Sequence, residues 1–450
     1  MITKSRFAPS PTGYLHIGNL RTFIFAWLSC KKDEQNQFFL RIDDTDSERS
    51  KKEYETQIKK DLSEFDMKWN DEFRQSDRLK RYEEVKEQLI KNGHIYDCYE
   101  TVEELDMLRK IHRPFIYDRK KTLELTQEQK EELRKNGVKP YWRFKLNKEK
   151  EISWNDEIKG ILKFDSKQLS DPVVIRADGS FTYLLISVID DIDYHVNHII
   201  RGEDHISNTA SQIQMWKALD SEVPTFAHLP LLKMPEGKIS KRVGGFEVFH
   251  LLDEGILPIS LINYLLKLGN SHYNNEIFLT IDELIKNFDI KNYSSGSPNF
   301  TRKELDDLNM KIVCQMNDKK IIEFLKNKLH IMIDIKLWEI LKHNIENFDD
   351  LKYWVDRFEK NEFDFSNLNY KEEEIAQFAK KYLPDENEWN VKTWANWISS
   401  ISENNSEYSK KELFMTLRFI ITGKKSGPEM SELIPYLGKG KIQQILNSVQ

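Results

Sequence analysis

The sequence predicts an α/β protein in its first half, with a parallel sheet and an insertion, followed by an all-helical region. Three observations carry this. A strand, a helix and a second strand follow one another at the start of the chain. A second strand–helix pair returns near residue 195. From about residue 246 the pattern becomes helical and stays so.

Residues 2–8 read as a short strand and residues 38–42, Phe-Phe-Leu-Arg-Ile, as another. Between them Leu20, Phe23, Ile24, Trp27 and Leu28 recur at helical spacing. Parallel strands need a long crossover, which a helix supplies, so this unit favours a parallel sheet. Residues 77–135 are charged and mostly helical in pattern, with a break at Arg113–Pro114. Within 140–187 the runs YWRFKL and PVVIRADGSFTYLLI read as strands, with Asp178-Gly179 as a tight turn between two of them. Residues 195–200 read as a strand and 206–219 as an amphipathic helix. The stretch Ser294–Phe300 is a loop signal. The final region carries Trp338, Trp354, Trp389, Trp394 and Trp397, expected in the core rather than as stacking platforms for bases.

A chain of 450 residues exceeds one compact core, so about two to four domains are expected. The first residues contain no apolar signal segment, and no run of apolar residues is long enough to span a membrane. Cys30, Cys98 and Cys314 lie far apart, which fits a reducing compartment rather than a disulfide framework. A cytoplasmic protein is expected. The net charge of −6 argues weakly against nucleic-acid binding, but 68 Lys and Arg are enough for a local basic patch.

The strongest local signal runs from Arg6 to Asn19, where the first strand meets the first helix. Pro9, Pro11 and Gly13 exclude a regular element, and His16 and Gly18 then open the helix. A helix N-terminus has unpaired N–H groups and a positive dipole end, so it suits a phosphate. An imidazole there can donate a hydrogen bond to a phosphate oxygen as charge builds on it. Alone, such a loop is only a proline-stiffened turn. Further along stands Gly237-Lys-Ile-Ser-Lys-Arg242, where Lys238 and Lys241 flank Ser240 and suit a pyrophosphate leaving group. The pair in this order is far more specific than either half.

His16-Ile-Gly-Asn19 and Lys238-Ile-Ser-Lys-Arg242 resemble the two signature motifs of class I aminoacyl-tRNA synthetases. Arg6–Asn19, Arg41-Ile-Asp-Asp-Thr-Asp46, Ile200–Thr209 and Asn263-Tyr-Leu-Leu266 resemble glutamyl-tRNA synthetases in particular. The resemblance implies a Rossmann-type catalytic domain (residues 1–76 and 188–245) and an inserted acceptor-end-binding domain (77–187). It further implies a stem-contact domain (246–310) and a helical anticodon-binding domain (311–450).

The resemblance also implies site roles. ATP would meet Pro9, Thr12, His16, Gly18, Asn19, Lys238, Ser240 and Lys241, with His16, Lys238 and Lys241 catalytic. Glutamate carries two carboxylates and an amine, so its site needs two cations and an acid. Arginine binds a carboxylate through two parallel hydrogen bonds. By resemblance Arg6 faces the side-chain carboxylate, Arg201 the α-carboxylate and Asp43 the ammonium, with Ser10 and Tyr183 completing the pocket. The implied partners are L-glutamate, ATP with Mg2+, and tRNA(Glu), with tRNA(Gln) as the alternative for an enzyme feeding an amidotransferase. A monomer is implied. A catalytically inactive paralogue is the remaining alternative, against which intact His16, Gly18, Lys238 and Lys241 argue.

Three departures from the family pattern stand out, the first being Asn19 in place of the histidine that ends the first motif, where glutamyl enzymes often vary. Asp43 occupies the place of a glutamate and is one methylene shorter. Cys98-Tyr-Glu100, with only His112 nearby, cannot assemble the ligand set of relatives that bind zinc, so no zinc is expected. For anticodon contacts, Arg357 or any of several lysines is a candidate, with solvated surface the better reading of each.

Overall fold

The computed structural model describes residues 2–111, 115–233, 246–273, 276–361, 363–366, 368–385 and 388–449. The described strands are β1 (Lys4–Phe7), β2 (Gln37–Ile42), β3 (Asp71–Arg74), β4 (Ile95–Cys98), β5 (Tyr141–Phe144), β6 (Ile152–Asp156), β7 (Gly160–Phe164), β8 (Val173–Ile175), β9 (His198–Gly202) and β10 (Thr225–Leu229). Three helices bear on the site: α1 (Ile17–Cys30), α2 (Tyr183–Asp193) and α3 (Ile206–Ala218).

β1, β2 and β3 run parallel in that spatial order, and β9, β10 and β6 form a second parallel set, with β7 antiparallel at its edge. The two sets adjoin at β1 and β9. There the Asn197 N–H donates to Lys4 O at 3.0 Å, and the Lys4 N–H donates to Asn197 Oδ1 at 2.9 Å. The strand order therefore reverses direction between β1 and β9, and a crevice opens at the carboxyl ends of the strands at such a switch point.

Alternation along the strands decides what faces each side. Phe7 and Phe38 meet Phe23 of α1, at ring separations of 5.4 and 5.9 Å. Arg6 and Arg41 face the other way, toward Asp191 of α2. The apolar side of α1, including Leu20, Phe23, Ile24 and Leu28, is fully buried.

β4, β5 and β8 form a separate antiparallel sheet within the stretch 77–187. The hairpin β6–β7 comes from the same stretch but pairs with β10 of the parallel set. The strand expected over FTYLLI is not a strand. Phe181 makes an isolated bridge to Ile175, and helix α2 starts at Tyr183. A helix buried on most sides reads as a continuous apolar run, which periodicity alone does not separate from a buried strand. The strand β4 interrupts the segment expected to be helical.

The chain divides into two compact units, Met1–Leu251 with Leu261–Thr301, and Leu252–Ser260 with Arg302–Gln450. The second unit is helical from Arg302–Gln315 to Met430–Ser448. Asn317, Asp334, Asn347, Asn369 and Ser409 each cap a helix by accepting from its first-turn N–H groups. Trp338, Trp354, Trp394 and Trp397 are core residues, and Trp389 lies half-buried with its ring 6.1 Å from that of Trp397. Arg357 is buried and donates from Nε to Ile421 O and from Nη2 to Ile420 O, at 2.9 and 2.7 Å. It satisfies the last carbonyls of the helix Lys410–Thr422 rather than presenting a cation to solvent.

Candidate active site

The crevice at the switch point is a cleft of about 650 Å3. Ten of the residues named from sequence line it: Arg6, Pro9, Ser10, Thr12, His16, Gly18, Asn19, Asp43, Tyr183 and Arg201. They arrive from the ends of β1, β2 and β9 and from the first turns of α1 and α2. Lys238, Ser240 and Lys241 lie outside the described residues. The described chain that leads to them leaves at Lys233, whose N–H donates to Pro298 O at 2.8 Å. It resumes at Phe246, whose carbonyl accepts from the Ile17 N–H at 3.0 Å.

His16 is the N-cap of α1, and its Nδ1 accepts from the Gly18 N–H at 3.1 Å. An imidazole that accepts at Nδ1 carries its proton at Nε2 when neutral. Burial lowers the His16 pKa, with Glu247 opposing, which favours this neutral form. The site therefore offers an Nε2–H donor beside the positive end of a 14-residue helix. Gly18 fits because a Cβ there would stand 3.0 Å from His16 Cε1.

Below this helix end Arg21 is buried and donates to Pro230 O at 2.8 Å and Leu268 O at 3.1 Å. Burial pushes its pKa down to about 10, with Tyr293 and Glu203 opposing.

The deeper half of the cleft holds three guanidiniums. Arg6 donates to Asp191 through Nε at 3.0 Å and Nη2 at 3.4 Å. Arg41 shares that carboxylate through Nη1 at 3.0 Å and grips Asp43 with its other edge. Arg201 differs. It is 7% exposed, and its hydrogen-bond partners are neutral groups: Tyr183 Oη at 2.8 Å, Thr209 Oγ1 at 2.6 Å, Gln212 Oε1 at 2.8 Å and His228 Nε2 at 3.4 Å. Burial lowers its pKa. A buried cation whose hydrogen-bond partners among the described residues are all neutral is costly, and an anionic ligand lowers that cost.

This geometry places the phosphate-suited helix end and a buried guanidinium with neutral hydrogen-bond partners in one cleft. The family described as tRNA synthetases class I (E and Q), catalytic domain, matches residues 3–307, and the anticodon binding domain family matches residues 311–448. The chain belongs to the class I tRNA synthetases of the E and Q group. Among curated members, the glutamate–tRNA ligase 1 of Rickettsia bellii (strain OSU 85-389) is 43% identical over 445 residues, covering 97% of this chain and 98% of that one. The glutamate–tRNA ligase 1 of Wolbachia pipientis subsp. Culex pipiens is 42% identical, covering 97% and 96%. The solved glutamate tRNA ligase of Elizabethkingia meningosepticum has the same fold, with a TM-score of 0.83 at 23% identity, covering 100% of this chain and 99% of that one.

In this synthetase, sequence reasoning missed Arg21, Arg41, Asp191, Thr209, Gln212 and His228 around the cleft. Arg41 and Thr209 fall inside quoted motifs, which was the available signal. His205 was likewise quoted without a role. It lines the cleft with Nδ1 3.0 Å from Tyr183 Oη, and burial beside Arg201 pushes its pKa down to about 4.

In the zinc-type position of this synthetase, burial pushes the Cys98 thiol up to about 12. Glu100 accepts from Tyr117, Thr122 and Tyr141. His112 lies outside the described residues. Among the described residues no helix is long and apolar enough to cross a membrane.

Proposed function

We propose that the chain is a glutamate–tRNA ligase, which activates L-glutamate with ATP and transfers the glutamyl group to the 3′-terminal adenosine of tRNA(Glu). Arg201 carries the reading: a buried guanidinium with neutral partners, opening into the cleft, calls for a carboxylate. Arg201 takes the α-carboxylate. Arg6, whose Nε edge is held by Asp191, takes the side-chain carboxylate with its Nη1 side. Asp43 meets the ammonium, and Ser10 and Tyr183 close the pocket. Glutamine is neutral at the side chain and leaves Arg6 poorly paired, which supports rejection of it.

In the first step an α-carboxylate oxygen of glutamate attacks the α-phosphorus of ATP. The bond to pyrophosphate breaks, and glutamyl-adenylate forms. In the second step the 2′-hydroxyl of the terminal adenosine attacks the acyl carbonyl, loses its proton, and AMP departs. Such chemistry needs positioning and charge stabilisation more than a protein nucleophile. His16 donates its Nε2–H to a phosphate oxygen beside the α1 N-terminus. Pro9, Thr12, Gly18 and Asn19 seat the nucleotide, and Lys238, Ser240 and Lys241 meet the pyrophosphate.

Of the carboxylates lining the cleft, Asp43 is tied to Arg41 and Asp204 is exposed. Magnesium would therefore come with the nucleotide rather than be held by these carboxylates, and would supply charge shielding to the phosphates. Residues 77–187 are assigned to the acceptor end, 246–310 to the tRNA stem, and 311–450 to the anticodon, where unstacked bases expose their edges. The enzyme is assigned to the cytoplasm, as a monomer.

The test is charging of purified tRNA(Glu) and tRNA(Gln), separately, with labelled glutamate and ATP. Charging of tRNA(Glu) is expected. Preference for tRNA(Gln) moves the enzyme to the amidotransferase route, and charging of neither by folded protein overturns the proposal.

A further inference from the structure

Arg201 and His228 stand directly opposite one another in the parallel register of β9 and β10, on one face of the sheet. His228 is fully buried, as is Asp156, which comes from the end of β6 in the inserted stretch. His228 Nδ1 lies 2.5 Å from Asp156 Oδ2. On the far side of the ring, Nε2 receives the Arg201 Nε–H at 3.4 Å and stands 2.9 Å from Thr209 Oγ1.

A guanidinium can only donate, so His228 Nε2 must be an acceptor. The imidazole proton then sits on Nδ1, where it donates to the carboxylate. Asp156 is itself locked: its Oδ1 accepts from the Ile158, Lys159 and His228 backbone N–H groups at 3.1, 3.0 and 3.1 Å. That leaves Oδ2 as the atom aimed at the ring. A carboxylate that fixes the tautomer of a neighbouring histidine decides which face the histidine shows on its other side.

We infer that Asp156 and His228 are positioning residues for Arg201, which hold its guanidinium at the carboxylate subsite and thereby set the affinity for the amino acid. The inference rests on the assignment of Arg201 to the α-carboxylate. Neither residue lines the cleft. Asp156 acts through His228, and His228 acts through Arg201.

The isosteric change Asp156→Asn is the sharpest probe. Three N–H groups demand an acceptor at the Oδ1 site, so the amide nitrogen must face His228 Nδ1. A donor there draws the lone pair to Nδ1 and moves the ring proton to Nε2, against the Arg201 Nε–H.

The experiment is glutamate-dependent ATP–pyrophosphate exchange by the full chain with tRNA present, comparing wild type, Asp156→Asn and Arg201→Lys. Asp156→Asn is expected to raise the KM for glutamate about tenfold while the KM for ATP stays within about twofold. Arg201→Lys is expected to raise the glutamate KM further. If Arg201→Lys raises it and Asp156→Asn does not, or Asp156→Asn worsens both KM values and kcat alike, the inference falls and the site reading stands. If Arg201→Lys leaves it unchanged, the site reading falls and takes the inference with it. Histidine 15N spectra of the wild-type chain decide independently if Asp156→Asn does not fold. The resonance lost in His228→Gln should show a protonated Nδ1 and a bare Nε2, and the opposite tautomer or an imidazolium overturns the inference.

Discussion

Arg41 closes on Asp43 with two parallel hydrogen bonds, Nε to Oδ1 at 2.6 Å and Nη2 to Oδ2 at 3.1 Å, two residues apart where β2 ends. The same guanidinium also serves Asp191 at 3.0 Å. One cation is thus shared between carboxylates in a buried site. Burial pushes the Asp43 carboxyl up to about 6, with Arg41 opposing the rise.

A raised carboxyl pKa means that the folded state holds this proton more tightly than the unfolded chain. The Asp43 contribution to folding therefore diminishes as pH climbs from the ordinary carboxylate range through about 6. On the proposed assignment of Asp43 to the ammonium, glutamate binding runs the other way, because the ammonium needs the ionised form. In wild type, kcat/KM for glutamate should fall about tenfold per pH unit below that pKa. Asp43→Asn should raise the KM across the range and remove this limb from the pH profile.

Gly18→Ala tests the helix end. The added methyl would stand 3.0 Å from His16 Cε1 and 3.1 Å from Nδ1, so the ring must give by a few tenths of an ångström, which displaces its Nε2–H and strains its bond to the Gly18 N–H. Adenylate formation should slow by about ten- to a hundredfold, with little change in the KM for glutamate. Single-turnover adenylation checks this.

Arg21→Lys keeps the charge but cannot reach both Pro230 O and Leu268 O in the geometry of the fork. With a buried carbonyl left unpaired, the expected cost is about 1–3 kcal/mol of stability. Urea unfolding measures it.

Arg357→Lys should cost stability rather than base recognition, because Ile420 O and Ile421 O lose their donors. A loss of about 1–3 kcal/mol is expected. Gly423→Ala should act in the same direction, since Gly423 sits at φ 72° beside Tyr353 Oη. Thermal unfolding reads both, and tRNA affinity of the folded variants below their transitions should remain close to wild type.

How far these features were legible depends on the range of the interactions behind them. The spacing of Leu20, Phe23, Ile24 and Leu28 announced α1 because its buried face is set by local period. The cleft was legible because its lining residues fall in short motifs at the ends of elements, and ten of them meet in space. The start of the helix Tyr183–Asp193 was misread as the end of a strand because a buried helix loses the polar stripe that periodicity needs. Asp156 and His228 left no signal, because 72 residues separate partners brought together only by the pairing of β6 with β10. Arg357 read as a candidate surface cation because a charge satisfied by backbone carbonyls looks, in sequence, like any other charge.

The β6–β7 hairpin has a consequence for engineering. A chimera that exchanged residues 77–187 as a cassette, or deleted them behind a short linker, would strip β10 of β6, leave it paired with β9 alone and expose a bare strand edge over Phe226. Unprotected edges invite intermolecular pairing, so such a chimera should aggregate. Junctions that leave Ile152–Phe164 in place would keep the edge covered while freeing the β4–β5–β8 sheet for replacement. The graft boundary is set by strand pairing and not by where residues 77 and 187 fall along the chain.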